Sequence, residues 1–209
     1  MIFSLLEVGA GAAVAFVLAI VIGITIHEFS HALAGYLMGD MTARDAGRLT
    51  LNPLAHLDPM GSFMLLFAGF GWGKPTPYNP YNLRYQKWGP AIVAVAGPIS
   101  NLVGAIVSIG LLIAVSSLYS PENLLIVFLS SLFFINIMLM VFNLIPIPPL
   151  DGSQILFTVL PPRYDNIKFF LTKNGIFILI GLLIFDNITG IGIFRGIFTF
   201  VFNLIGRIL

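Results

Sequence analysis

VGAGAAVAFVLAIVIGITI, residues 8–26, runs for 19 residues without a charge and leads directly into His27-Glu28-Phe29-Ser30-His31. At about 1.5 Å of rise per residue, such a helix spans roughly the 30 Å of a bilayer's hydrocarbon core. The pattern recurs downstream. Residues 88–121 are 34 without a charge and residues 123–150 another 28. Residues 174–185 and 187–206 are separated by Asp186 and by a turn-prone Asn187–Gly190, with Arg195 inside the second stretch. This reading places membrane spans at about 8–34, 91–117, 123–144 and 188–207, and a fifth at 168–186.

Composition agrees. Hydrophobic residues make up 58% of the 209 and charged residues 9%, against about 25% charge in a soluble domain. The net charge of +1 comes with no basic run, which argues against a nucleic-acid partner. Zero cysteines exclude disulfides, thiol nucleophiles and thiolate metal sites. Met1–Glu7 lacks the positive charge that opens a secretory signal, so no cleaved leader is expected.

Residues 59–73 are apolar but only 15 long, contain Gly61, Gly69, Gly71 and Gly73, and run into Lys74-Pro75-Thr76-Pro77. Such a segment suits a re-entrant or extended hairpin, which membranes tolerate where protein or water satisfies its backbone. If it re-enters instead of crossing, Arg44, Arg48, Lys74, Arg84, Lys87, Arg163, Lys168, Lys173 and Arg207 share one side, and Arg195 alone lies opposite. The positive-inside rule makes that side cytoplasmic. The expected fold is an all-α membrane protein of about five to six transmembrane helices. A re-entrant hairpin lies between the first and second spans. The chain forms one polytopic domain, with a core at about 8–160 and further spans at about 168–207.

His27-Glu28-Phe29-Ser30-His31 is an H-E-x-x-H motif. Residues four apart on a helix lie about 40° apart around the axis, so both imidazoles leave one face and can reach one zinc ion. Glu28 is placed to take a proton from water whose pKa the metal lowers to about 7. The bland alternative is a set of polar residues snorkelling from a helix end. Buried in a membrane they are costly unless paired or liganded, which favours the metal. A catalytic site also needs a third ligand. Asp151, in Asn143-Leu144-Ile145-Pro146-Ile147-Pro148-Pro149-Leu150-Asp151-Gly152, falls on the same inferred side, where prolines unwind the helix. An interfacial Asp-Gly turn is the competing reading.

These motifs together closely resemble the site-2 protease family of intramembrane zinc metalloproteases, in its compact bacterial and archaeal form without PDZ or nucleotide-binding modules. Gly97-Pro98-Ile99-Ser100-Asn101 and Leu51-Asn52-Pro53-Leu54-Ala55-His56-Leu57-Asp58-Pro59-Met60-Gly61 extend the likeness over about residues 20–160. The resemblance implies one Zn2+ per chain held by His27, His31 and Asp151, with Glu28 as catalytic base. It further implies that Asn143, and with it Asn101, binds the substrate backbone.

His56 either serves the site as an accessory or orders its own loop with Asp58. The small residues Gly9, Gly11, Ala12, Ala13, Ala15, Ala19 and Gly23 suit internal helix packing, and oligomeric state is left open. Gly71–Asn82 could offer an extended edge to an unwound peptide. The expected function is a zinc endopeptidase of the cell membrane, with its site toward the cytoplasm, acting on transmembrane or membrane-associated proteins. A divalent-metal transporter or an inactive scaffold using the same polar site is the alternative.

Overall fold

The computed structural model describes residues 9–68 and 71–207; Met1–Glu7 and Gly69, which figure in the sequence reading, lie outside the described residues. Among the described residues the regular elements are helices: α1 (Ala10–Leu37), α2 (Thr42–Asp45), α3 (Pro59–Ala68), α4 (Gly89–Ser116), α5 (Leu124–Asn143), α6 (Asp151–Val159), α7 (Asp165–Thr189) and α8 (Ile193–Ile205). Four are long and apolar enough to cross a membrane: α1, α4, α5 and α7 with its preceding turn. The chain is a multi-pass membrane protein.

The long spans differ from the charge-free runs at one end. Residues 188–207 hold a shorter apolar helix than the uncharged run suggests. Gly190 and Gly192 adopt left-handed backbone, with φ of 67° and 77°, which L side chains rarely adopt. They end α7 and delay the next helix to Ile193. Asp186 accepts hydrogen bonds from the Ile193 and Phe194 amides and so caps that start. The resulting α8 has 13 residues, about 20 Å long and short of the hydrocarbon core. The adjacent 168–186 run instead belongs to a 25-residue helix.

The chain divides into two compact units, Met1–Met140 and Val141–Leu209. In the first, α1 packs chiefly on α4. Ala19, Ile20 and Ile135 form a buried cluster, edged by Phe16, Ile24, Leu65, Leu132 and Leu139. Hydroxyls within the apolar helices are satisfied locally: Thr25 donates to the Val21 carbonyl and Ser30 to Ile26. Outward-facing Val14, Leu18, Val103, Ile106 and Val107 are exposed, as lipid-facing positions should be.

The 59–73 segment returns instead of crossing. Asp58 accepts from the Gly61 amide and starts the ten-residue α3 at Pro59. The chain then folds back, so that Leu57 pairs with Gly73 in an antiparallel bridge and the Lys74 amide donates to the His56 carbonyl, 2.7 Å away. A side chain at Gly61 would collide with the Trp72 backbone, so only glycine lets the helix lie against its returning strand.

In the second unit, α5 ends at Asn143 and α6 begins at Asp151. The intervening turn is closed by Ile147 donating to Ile145 and Leu150 to Ile147, and it contains a cis Pro148–Pro149 bond.

Candidate active site

His27 and His31 lie one turn apart on α1, 5% and 7% exposed, with rings edge to face and centroids 4.6 Å apart. Their partners define their tautomers. His31 Nδ1 lies 2.7 Å from the Val93 carbonyl oxygen, which can only accept, so Nδ1 carries the proton and donates. His27 Nδ1 lies 2.6 Å from Asn101 Oδ1 and donates in the same way. In the neutral rings both Nε2 atoms therefore present lone pairs, and these face each other at 3.0 Å.

The orientation of Asn101 is itself fixed by what surrounds it. Its amide nitrogen donates to the Gly23 carbonyl at 3.2 Å and to Asn136 Oδ1 at 2.9 Å, which leaves Oδ1 for His27. Asn136 in turn donates to the Leu132 carbonyl. Both asparagines are essentially inaccessible, at 0% and 1% exposure. An amide chain running from α5 through α4 thus holds the first imidazole of the motif. Close approach of α4 to the histidines depends on Gly97. A Cβ there would lie 2.5 Å from His31 Nε2 and 2.6 Å from His27 Cε1.

Glu28 points to a different neighbour. Its Oε2 accepts from the Thr76 amide at 2.9 Å and from the Thr76 hydroxyl at 2.7 Å. Arg48 Nη2 stands 3.8 Å from the same oxygen. The Arg48 side chain is 4% exposed and donates to the carbonyls of Lys74 and Pro75. Burial pulls its guanidinium below the ordinary arginine value, with Glu28 opposing the shift.

The loops around the motif are knotted by Asp40, which is 1% exposed. It accepts from the Thr42 amide and hydroxyl, the Asn79 amide and the Asn82 side chain. Burial alone would raise its pKa, but these donors outweigh it and hold the carboxyl below the usual carboxylate value. His56 is fully buried, and its Nε2 donates to the Thr50 carbonyl at 2.7 Å. Among the two uses read for it, loop ordering is the one with a visible contact, through Thr50 and not Asp58.

Of the residues singled out from sequence, the first unit brings His27, His31 and Asn101 together on one side of α1 and α4. Asn143 and Asp151 belong to the second unit, at the end of α5 and the start of α6. Arg48, Asn136 and Val93 were not read as site residues, and Thr76 was read only as part of the Gly71–Asn82 edge. Asn136, an amide in the middle of the charge-free 123–150 run between Asn123 and Asn143, carried a usable signal. The others carried none, since a loop arginine, a threonine and a backbone carbonyl are unremarkable until the fold juxtaposes them.

A family profile described as Peptidase family M50 matches residues 109–182. YwhC of Bacillus subtilis (strain 168), named a zinc metalloprotease, is 41% identical over 152 residues, covering 70% of this chain and 69% of the relative. Rip2 of Mycolicibacterium smegmatis, likewise named, is 34% identical over 169 residues, covering 76% and 62%. Rip2 of Mycobacterium tuberculosis (strain ATCC 25618 / H37Rv) is 31% identical over 191 residues, covering 88% and 71%. No solved structure matches at a comparable level. The chain belongs to peptidase family M50 and is by that membership a metalloprotease.

Proposed function

We propose that this chain is a zinc-dependent intramembrane endopeptidase that hydrolyses peptide bonds in or near transmembrane segments of other proteins. The observation that carries the reading is the pair of Nε2 atoms 3.0 Å apart on one helix face, each ring oriented by a fixed acceptor at Nδ1. Zinc–imidazole bonds are about 2.0–2.1 Å, so both nitrogens fit one ion. Neutral rings with Nδ1 engaged are the form in which histidine binds metal. His27 and His31 would hold the ion, with Asp151 as third ligand, a role supported by its motif and by the family. When bound, zinc supplies a Lewis acid for the scissile carbonyl and lowers the pKa of water.

The chain's own groups account for the proton. Glu28, next to the first ligand, takes it from the attacking water. As the water oxygen bonds to the carbonyl carbon and the C–N bond breaks, Glu28 returns it to the leaving amine nitrogen. Asn143 is the amide proposed to hold the substrate backbone. Asn101 is already occupied by His27, Gly23 and Asn136, and its role is better described as support of the ligand.

The intramembrane reading rests on depth. His27 and His31 lie ten and six residues before Leu37, the end of a 28-residue apolar helix. That is about 15 and 9 Å along the axis, within a helix about 42 Å long. A 30 Å core centred on such a helix encloses the motif near one boundary. The distribution of arginine and lysine supports the cytoplasmic boundary. Glu28→Gln should retain zinc and lose cleavage of a transmembrane peptide. Retained cleavage would refute the mechanism, and metal flux into liposomes insensitive to Glu28 would favour a transporter.

A further inference from the structure

We propose that Thr76 and Arg48 are positioning residues that hold the Glu28 carboxylate by one oxygen, leaving the other to handle the proton; this rests on Glu28 acting as the base. A glutamate on a helix surface samples many rotamers, and holding it in one of them costs side-chain entropy. Here that ordering is done by the fold. Thr76 offers Oε2 two donors, an amide at 2.9 Å and a hydroxyl at 2.7 Å, and its hydroxyl also lies 3.1 Å from the Glu28 carbonyl. Arg48 adds a nearly inaccessible cation at 3.8 Å.

Thr76 is held in turn from both ends. Upstream, Lys74 donates to the His56 carbonyl, and Gly73 pairs with Leu57. Arg48 grips the Lys74 and Pro75 carbonyls directly beside it. Downstream, the Asn79 amide is bound by buried Asp40 at 2.7 Å. Pro75 and Pro77 flank the threonine and stiffen the strand between these anchors. Such a strand acts as a jig. Its threonine between the two prolines meets the carboxylate of the motif, and the buried charge of opposite sign is shared between strand and carboxylate. An alternative reading, a latch that disables Glu28 until substrate displaces the strand, predicts the opposite sign of effect on turnover.

The test uses the full chain in micelles and a transmembrane peptide that the wild type cleaves, with Glu28→Gln alongside. Thr76→Val removes the hydroxyl but keeps shape and amide. It should lower kcat by about 10–100-fold, as losing orientation of a reacting group does, with KM within about twofold and zinc content unchanged. Thr76→Ser should recover kcat to within about threefold of wild type, and Arg48→Met should fall in the same direction as Thr76→Val. Turnover by Thr76→Val at or above the wild-type rate would overturn the proposal, as would failure of serine to rescue. Turnover by Glu28→Gln would sink the proposal together with the assignment of the base. A second measurement needs no substrate. With Pro75 and Pro77 lacking amide hydrogens, exchange across 74–78 reports Lys74, Thr76 and Tyr78 alone. Glu28→Ala should unprotect about one of these amides, and unchanged exchange would show that Glu28 does not hold Thr76.

Discussion

Replacing Asn101 with leucine removes the centre of the amide chain while keeping its branched shape. Three hydrogen bonds go at once: from His27 Nδ1–H, to the Gly23 carbonyl and to Asn136 Oδ1. Interhelical hydrogen bonds in membranes average about 0.6 kcal/mol each, so their loss alone costs about 2 kcal/mol. Two groups are then stranded at a site with 0% exposure. Leaving a buried polar group unsatisfied costs about 1–3 kcal/mol, although the Gly23 carbonyl keeps its place in the helix ladder. The lost bonds and the stranded groups are one loss seen from two ends, so the expected destabilisation is about 2–6 kcal/mol, or roughly 4–24 °C in the midpoint of thermal unfolding in detergent. His27 is also released to exchange tautomers and rotate. Loss of such an orienting partner weakens metal binding by about 10–100-fold, which chelator competition measures directly. Asn136→Leu, one bond further from the ring, should cost less on both scales. A variant with unchanged melting and zinc affinity within twofold of wild type would refute the assignment of Asn101 as the group that holds His27.

Two other substitutions probe separate features. Gly97→Ala adds helix propensity worth about 0.5–1 kcal/mol but places a methyl 2.5–2.6 Å from both imidazoles, so zinc affinity should fall more than tenfold while α4 loses no helicity, read by chelator competition and circular dichroism. Asp40→Asn removes the charge from a knot of four donors, costing about 1–3 kcal/mol at pH 7. Since folding lowers the Asp40 pKa from its ordinary 3.8, the wild-type advantage should be complete above about pH 4 and vanish as pH falls through the lower folded value, as unfolding midpoints of the two proteins across that range would report.

Much of the architecture was legible because bilayers impose simple rules. Charge-free runs located α1, α4 and α5, and the shortness and glycines of 59–73 marked a hairpin that does not cross. Asp186 and the turn-prone residues after it marked a break, but not the three-residue connection 190–192 or the short helix beyond it. A count of uncharged residues passes over the left-handed backbone of Gly190 and Gly192 and over the reach of Asp186, seven residues forward, to cap a new helix. At the site, the spacing of His27 and His31 revealed which face they share, since helical geometry alone decides it. What supports them was hidden by distance along the chain. Asn101 meets His27 across 74 residues, and Thr76 meets Glu28 across 48. Such pairings arise from helix packing and loop anchoring, which no local pattern encodes. The extended segment 71–82, read as an edge for substrate, carries residues fastened to Glu28 and Asp40.

The most direct measurement is the metal content of the purified full chain by elemental mass spectrometry, compared with Asp151→Ala. The account predicts about one zinc per chain in the wild type and its loss or marked weakening in the variant, joining the helical motif and the distant aspartate in one centre. A folded wild type that holds no metal after purification in the presence of zinc, or a variant that binds it as tightly, would contradict the proposed centre.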